Sequence, residues 1–394
     1  MAGAGRGTQP RRQPPPGSDA VTAHPSPAHL GQAALARELT ERGLLSPQWR
    51  EVWEQTPRHR FIPDPAWKQL RRGCELLTGQ ERMDLIYSDE PVVTQLDNGE
   101  PGGPGIATSS NSMPSMVARQ LSALDVRPGH RVLEIGTATG YVAALLCRRV
   151  GEEHVFTVEI DGVLAAQARA NLDNEGLRPT LRVTDGEMGL ADHAPYDRIL
   201  STCALREVPL SLAGQLAPGG ILVAPTTDVF YGGATVRLAR QDNGDLSGQF
   251  FHGASYMPMR SHRLEKLGPP DTTTARRRET GLDPERLYPL GFALYGSARL
   301  PGVRMTHGFH HDVRTVWLQA EDGSAAVAGG GTVTVYGPRD LWAEAEEVEV
   351  EYAARGRPDT PSFGLTVTPH GQHLWLHAPT EVIPAKSPRE AASL

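Results

Sequence analysis

Apolar positions along this chain fall into two regimes. From His29 they recur at helical spacing through Leu35, Leu39 and Leu44, and Pro47 reads as the point where that helix is interrupted. From His130 onward, short apolar runs alternate with turn residues and helical stretches, the βαβ pattern of a parallel sheet covered on both faces. The runs predict strands over 131–135, 155–160, 181–183, 197–202 and 221–224, with helices over 141–150, 162–175 and 210–216. Pro218-Gly219-Gly220 marks the turn into the last of these strands. Residues 234–239 and 249–256 read as antiparallel strands, 314–319 and 332–336 as strands, and 339–352 as a helix. On that helix Leu341, Trp342, Ala345, Val348 and Tyr352 share one face. Glu344, Glu346, Glu347, Glu349 and Glu351 populate the others, which reads as a solvated surface rather than a docking face for a basic peptide.

The pattern predicts an α/β, Rossmann-like body with a mixed α+β C-terminal extension. Residues 1–28 carry six prolines and hardly an apolar side chain, so they read as a disordered tail. A first domain is expected over 29–260, a linker over 261–284, where a Pro- and Arg-rich stretch covers 268–284, and an accessory domain for substrate recognition over 285–394. No run of 18 apolar residues occurs, which excludes a helical membrane span and a membrane partner. A net charge of -7 argues against nucleic acid as partner, since phosphate neutralisation needs an excess of lysine and arginine. Three cysteines without a CxxC pair fit a reducing cytoplasm and give neither a disulfide framework nor a zinc site. His307, His310 and His311 lie close enough in sequence for a metal, but no glutamate or cysteine sits at ligand spacing, so partly exposed strand or turn histidines and no metal are expected.

Chemistry concentrates in Val132-Leu133-Glu134-Ile135-Gly136-Thr137-Ala138-Thr139-Gly140-Tyr141, a buried strand entering a glycine turn that opens a helix. No lysine follows the second glycine, which excludes a P-loop, and the spacing is not GxGxxG. What remains is the turn that S-adenosylmethionine enzymes place beneath the amino acid part of their cofactor. Glu134, Gly136, Thr137, Gly140 and Tyr141 are its candidate contacts. Glu159, about 20 residues on at the next strand end, is placed to bridge both ribose hydroxyls. Asp185-Gly186, after the third strand, falls where the adenine edge would lie.

From Arg58-His59-Arg60-Phe61-Ile62-Pro63 through Tyr87-Ser88-Asp89-Glu90-Pro91 to the Pro218-Gly219-Gly220 turn, the chain resembles the protein-L-isoaspartate O-methyltransferases. The resemblance implies a class I methyltransferase fold, S-adenosylmethionine as donor with S-adenosylhomocysteine as product, and a peptide carboxylate as acceptor. The family's Ser-x-Pro signature corresponds to Ser112-Met113-Pro114, which makes Ser112 the catalytic residue, with Ser109, Ser110 and Ser115 beside it as substrate contacts. Two positions depart from the family: Ala138 stands where the turn usually has glycine, and Ser115 where histidine usually follows Ser-x-Pro. With the extension that holds Gly329-Gly330-Gly331 and Gly337-Pro338-Arg339-Asp340, these departures resemble a subgroup associated with ribosomal-peptide gene clusters. Its members methylate an aspartate of a lanthipeptide or graspetide precursor, and the ester closes to an aspartimide, a route to isoaspartate. The expected partner is then a precursor peptide, macrocyclised before it reacts. The competing expectations are repair of isoaspartate in damaged proteins and, from another class, a non-catalytic peptide-binding adaptor.

Overall fold

The computed structural model describes residues 27–385. The expected tail lies outside these residues, except that Pro27 and Ala28 already belong to the first helix. Helix α1 (Pro27–Glu41) is followed by α2 (Pro47–Glu54). Pro47 opens the second helix rather than merely ending the first, because the N–H that proline lacks has no intrahelical partner at that position. Strands β1 (Trp67–Gln69) and β2 (Cys74–Leu76), helix α3 (Gly79–Ile86) and strands β3 (Val92–Leu96) and β4 (Ala107–Asn111) come next. The four strands form a small antiparallel sheet in the order β2-β1-β3-β4. Helix α4 (Pro114–Leu124) leads from it into the main body.

That body alternates as the pattern predicts: β5 (Val132–Ile135), α5 (Tyr141–Val150), β6 (Val155–Glu159), α6 (Gly162–Asn174), β7 (Thr180–Val183), β8 (Tyr196–Ser201), α7 (Leu210–Gln215) and β9 (Leu216–Thr226). Strand β5 is buried at all four positions and pairs in parallel with β6 on one side and β8 on the other. The strand order therefore reverses there, which opens a crevice at the carboxyl ends of β5, β6 and β8. Strands β10 (Ala234–Arg240) and β11 (Leu246–Gly253) continue the sheet in antiparallel fashion.

Of the expected linker, residues 276–279 form a strand, β12 (Arg276–Glu279). Its arginines offer no apolar face, and it exists because it pairs with a later strand at a sheet edge. Helix α8 (Leu290–Arg299) is followed by the meander β13 (Arg304–His310), β14 (Val313–Gln319), β15 (Ala325–Gly329) and β16 (Thr332–Tyr336). With β12 these make a five-stranded antiparallel sheet in the order β12-β16-β15-β14-β13. Helix α9 (Leu341–Ala354) precedes β17 (Phe363–Thr368) and β18 (Gly371–Leu376), and these last two strands return to the main sheet. That sheet then has nine strands in the order β18-β17-β11-β10-β9-β8-β5-β6-β7. Residues beyond 285 are thus divided between two sheets, and one buried cluster runs from Leu133 through Phe250 and Phe292 to Val333.

The glutamates of α9 differ from the solvated surface expected of them. Glu344 and Glu349 are each 8% exposed. Glu344 pairs with Arg339 at 2.6 Å, Glu346 with Arg278 at 2.8 Å and Glu351 with Arg299 at 2.9 Å, while Glu349 pairs with Arg357. Buried carboxylates need such partners, and here the partners come from segments on every side of the helix. Among the described residues no helix is long and apolar enough to cross a membrane.

Phe292 of α8 is fully buried against Phe230, at 6.2 Å between ring centroids, and Tyr352, at 5.6 Å. Truncation to alanine should cost about 3–5 kcal/mol in urea unfolding. Because its neighbours belong to both halves of the chain, the loss should appear in one transition. A separate transition retained at the wild-type midpoint would show that the two sheets unfold independently.

Candidate active site

The turn after β5 is built against ordinary backbone preference. Gly136 has φ +91, and a Cβ there would lie 2.6 Å from the Cys203 sulfur. The Thr202 hydroxyl holds the turn, its one proton shared between the carbonyls of Ile135 at 3.0 Å and Gly136 at 2.7 Å. Ala138 has φ +46. That left-handed conformation costs a non-glycine residue roughly 1–2 kcal/mol. Its N–H donates to Glu159 Oε2 at 2.8 Å, a charge-assisted bond that offsets the cost.

Beneath the turn lies a short chain of hydroxyls. Thr157 donates to Glu134 Oε2 at 2.6 Å, and since a hydroxyl has one proton, the 2.6 Å contact between Thr137 and Thr157 must run from Thr137 to Thr157. Glu134 is fully buried, and burial pushes its carboxyl up from the ordinary 4.5 to about 8.

A cavity of about 880 Å³ opens above the strand ends. Gly136, Glu159, Asp185 and Gly186 line one side, and Ser109, Ser110 and Ser112 the other. The remaining predicted contacts lie outside its lining. Glu134 and Thr137 are under the turn in the hydroxyl chain. Gly140 begins α5 packed against α6, where a Cβ would sit 3.2 Å from Leu172. Tyr141 is buried edge-on to Trp53 and Phe61, with centroids 6.0 and 5.4 Å apart. Ser115 is buried in the first turn of α4, its N–H donating to Asp89 Oδ1 at 2.7 Å. For Glu134, Tyr141 and Ser115 the physical reason is shared: a strand or helix start buried on both faces turns alternate side chains away from the crevice. His307 and His310 lie on β13, His307 stacked on Tyr288 at 4.5 Å and His310 against His311 at 4.3 Å. Among the described residues no group of three or more His, Cys, Asp or Glu is placed to hold a metal ion.

Sequence reasoning missed Gln69, Tyr256, Arg260 and Arg263, all of which line the cavity. Asp161 Oδ2 accepts from Arg260 at 2.6 Å and from Gln95 at 3.1 Å, while its Oδ1 caps α6 through the N–H groups of Val163 and Leu164. Burial alone would raise this carboxyl, but the bonds from Gln95, Leu164 and Arg260 outweigh it and hold it below the ordinary range. The cap position of Asp161 before Gly162 was legible. Arg260 comes from a distant turn and leaves no local signal.

On the serine side, the Ser112 hydroxyl makes no hydrogen bond among the described residues, whereas its carbonyl is fixed by Arg58 Nη2 at 3.0 Å. Arg58 is fully buried and also donates to the side chain and carbonyl of Asn111 and to the carbonyls of Ile86, Ser88 and Glu90. Desolvation lowers its guanidinium to about 10, so it stays charged at neutral pH.

These residues fit the cofactor expected from the sequence. Each Glu159 oxygen takes one backbone N–H, from Ala138 at 2.8 Å and Asp161 at 3.1 Å. A carboxylate offers about four acceptor positions, so two remain toward the cavity, the number a ribose diol uses. Gly186 lets the backbone pack closely at this wall of the cavity, since a Cβ there would lie 2.5 Å from Ile135 and 2.8 Å from Met259.

Residues 79–264 match the family model described as Protein-L-isoaspartate(D-aspartate) O-methyltransferase (PCMT). The chain is 34% identical over 229 residues to a protein-L-isoaspartate O-methyltransferase of Methanothermobacter thermautotrophicus, covering 57% of this chain and 93% of that one. It is 33% identical over 249 residues to the Picosynechococcus enzyme of the same name, covering 63% and 97%. A solved structure titled protein-L-isoaspartate O-methyltransferase superposes with a TM-score of 0.54 at 21% identity, over 88% of this chain and all of that one, which shows the shared fold.

Two outcomes are expected of the turn. Glu159→Ala should weaken S-adenosylmethionine binding by about 1–3 kcal/mol in calorimetry. Burial also raises the Glu159 carboxyl, so wild-type affinity should fall as pH drops through that raised value, and the variant should lose this dependence. For Glu134 the native state holds a proton that the unfolded chain releases between 4.5 and about 8. Stability should therefore fall with rising pH across that window, by at most about 1.4 kcal/mol per pH unit, while Glu134→Gln removes the slope.

Proposed function

The chain belongs to the protein-L-isoaspartate O-methyltransferase family, and from that premise we propose how its site works and on what. It is a protein carboxyl methyltransferase of the class I fold that uses S-adenosylmethionine. When bound, that cofactor supplies an electrophilic methyl group. Glu159 holds the ribose through its two free acceptor positions, and the Gly136 turn admits the amino acid end. The acceptor carboxylate, with an ordinary value near 3.9, is already ionised at neutral pH and needs no general base. Positioning is what remains. Ser112, with a free hydroxyl on a backbone pinned by Arg58, donates to one acceptor oxygen and aims the other. The Arg58 charge behind the serine wall is occupied by backbone carbonyls and Arg260 is already paired to Asp161, so neither is free to bind the nucleophile's charge directly.

The acceptor we assign is an L-aspartate of a ribosomally synthesised, modified peptide such as a lanthipeptide or graspetide. The observation that carries this reading is the acceptor wall itself, three serine residues lining the cavity with Ser115 buried behind them in place of the usual histidine. Once the ester forms, the backbone nitrogen of the following residue attacks its carbonyl, methanol leaves, and a five-membered imide results. Water opening that imide gives aspartate or isoaspartate. Repair of isoaspartyl proteins is the second reading, and it is favoured by the names of relatives that match at 33–34% identity.

Ser112→Ala should lower kcat/KM about tenfold to a hundredfold, the worth of one hydrogen bond to a charged group, and leave calorimetric cofactor affinity unchanged. A precursor peptide encoded beside this gene should gain about 14 Da and then settle about 18 Da below its starting mass, since a constrained peptide keeps its backbone nitrogen near the ester. Methylation of generic isoaspartyl peptides with no reaction on that precursor would establish the repair reading instead. Neither reaction, with the cofactor still bound, would leave a non-catalytic adaptor.

A further inference from the structure

Strand β13 is the outer edge of the five-stranded sheet, paired only with β14. In an antiparallel pair, backbone groups facing away from the partner recur at every second residue. The Met305 N–H faces away, because it donates to Val229 O at 3.0 Å, in the segment that joins β9 to β10. By the same alternation His307 and Phe309 turn their N–H and C=O groups the same way as Met305, and among the described residues these groups have no backbone partner.

The position of this free edge is what gives it meaning. At one end it is tied to Val229, three residues before Gly232, which with Gly233 lines the cavity. At the other end Phe309 lies beneath the Arg71 guanidinium, 5.8 Å from the ring centroid, and Arg71 is two residues past the cavity-lining Gln69. Both ends of the edge therefore contact segments that lead within two or three residues into the cavity lining. Leu70, Phe309 and Val313 expose apolar surface around it, at 41%, 55% and 43%. Arg71 and the neighbouring Arg72, both exposed, bring positive charge to the Phe309 end of the edge, and neither forms an ion pair among the described residues.

We propose that the open edge of β13 takes the acceptor peptide as an added strand, through the backbone groups of His307 and Phe309, and that the peptide it fits is extended and acidic on either side of the reacting residue. This rests on the methyltransferase reading above and deepens it. Main-chain pairing supplies affinity without dictating sequence, and the basic, partly apolar rim selects composition. It also gives the C-terminal extension a specific task, holding the segment next to the reacting carboxylate.

The test separates backbone from side chain. His307→Pro removes the outward N–H while leaving the β13–β14 ladder, and His307→Ala removes the ring while keeping the N–H. The probe is a synthetic peptide with one central L-isoaspartyl or L-aspartyl residue flanked by glutamates. The proline variant should raise its KM about fivefold to tenfold, as for one lost hydrogen bond, with kcat and cofactor affinity unchanged, and the alanine variant should stay near wild type. In the wild-type protein with S-adenosylhomocysteine bound, the same peptide should slow amide hydrogen exchange at His307 and Phe309, a readout that needs no variant to fold. Methylation with wild-type KM in His307→Pro, or without exchange protection, overturns the edge and spares the activity. Exchange protection without methylation overturns the activity and spares the edge. Neither protection nor methylation overturns both.

Discussion

A single buried cation organises the acceptor side of this protein. Arg58 has no exposed surface and spends its guanidinium on carbonyl oxygens and one amide rather than on a carboxylate. Desolvating such a charge costs several kcal/mol, so it persists only where many acceptors converge. Those acceptors belong to Ile86, Ser88 and Glu90 on one stretch and Asn111 and Ser112 on another. Asn111 in turn donates to Thr139 in the cofactor turn, at 3.1 Å. The charge thus ties together three separate stretches of chain, and loss of any one acceptor would leave it less well paid for by the rest. Asp89 reinforces the junction: burial alone would raise its carboxyl, but Arg42 and the Ser115 N–H hold it below the ordinary range.

Much of the central alternation was legible because burial on both faces demands continuous apolar runs, as in Val132–Ile135. Glu159 and Asp185 were read for a related reason, since ligand groups in such sheets sit at strand ends that the pattern marks, whereas the serines came from the Ser-x-Pro signature alone. Individual side-chain directions were less accessible. Glu134, Thr137 and Tyr141 lie within the right motif, but whether each faces the crevice depends on packing from α1, α2 and β6, which the motif does not encode. The edge strands escaped as well. Strand β12 is Arg-Arg-Arg-Glu, and only its pairing with β16 makes it a strand. The glutamates of α9 looked like a solvated surface because the sequence does not reveal which arginines return to meet them.

The two sides of the cavity differ in how they are held. The cofactor side is rigid through close approach, where Gly136 and Gly186 leave no room for a Cβ and Gly233 would bring one within 1.7 Å of the Ala254 oxygen. The acceptor side is rigid through hydrogen bonding to Arg58, which fixes the backbone at Asn111 and Ser112 and leaves the Ser112 hydroxyl without a partner among the described residues. Preorganised donors of this kind orient a carboxylate without neutralising it, which suits a nucleophile that arrives already charged.

The order of the main sheet bears on how the chain is made. Strand β11 borders β10, which precedes it closely, and β17, whose register with it begins at Gly364 and sets Leu246 opposite Val367. During synthesis from the N-terminus, the β5 to β11 part of the sheet is complete while β11 still has a bare edge, and it keeps that edge until more than a hundred further residues have emerged. An unpaired edge beside apolar Leu246 and Phe250 is an invitation to pair with another nascent chain. Closure by β17 and β18 is therefore the final step of assembly, and a prematurely terminated product would be sticky as well as incomplete.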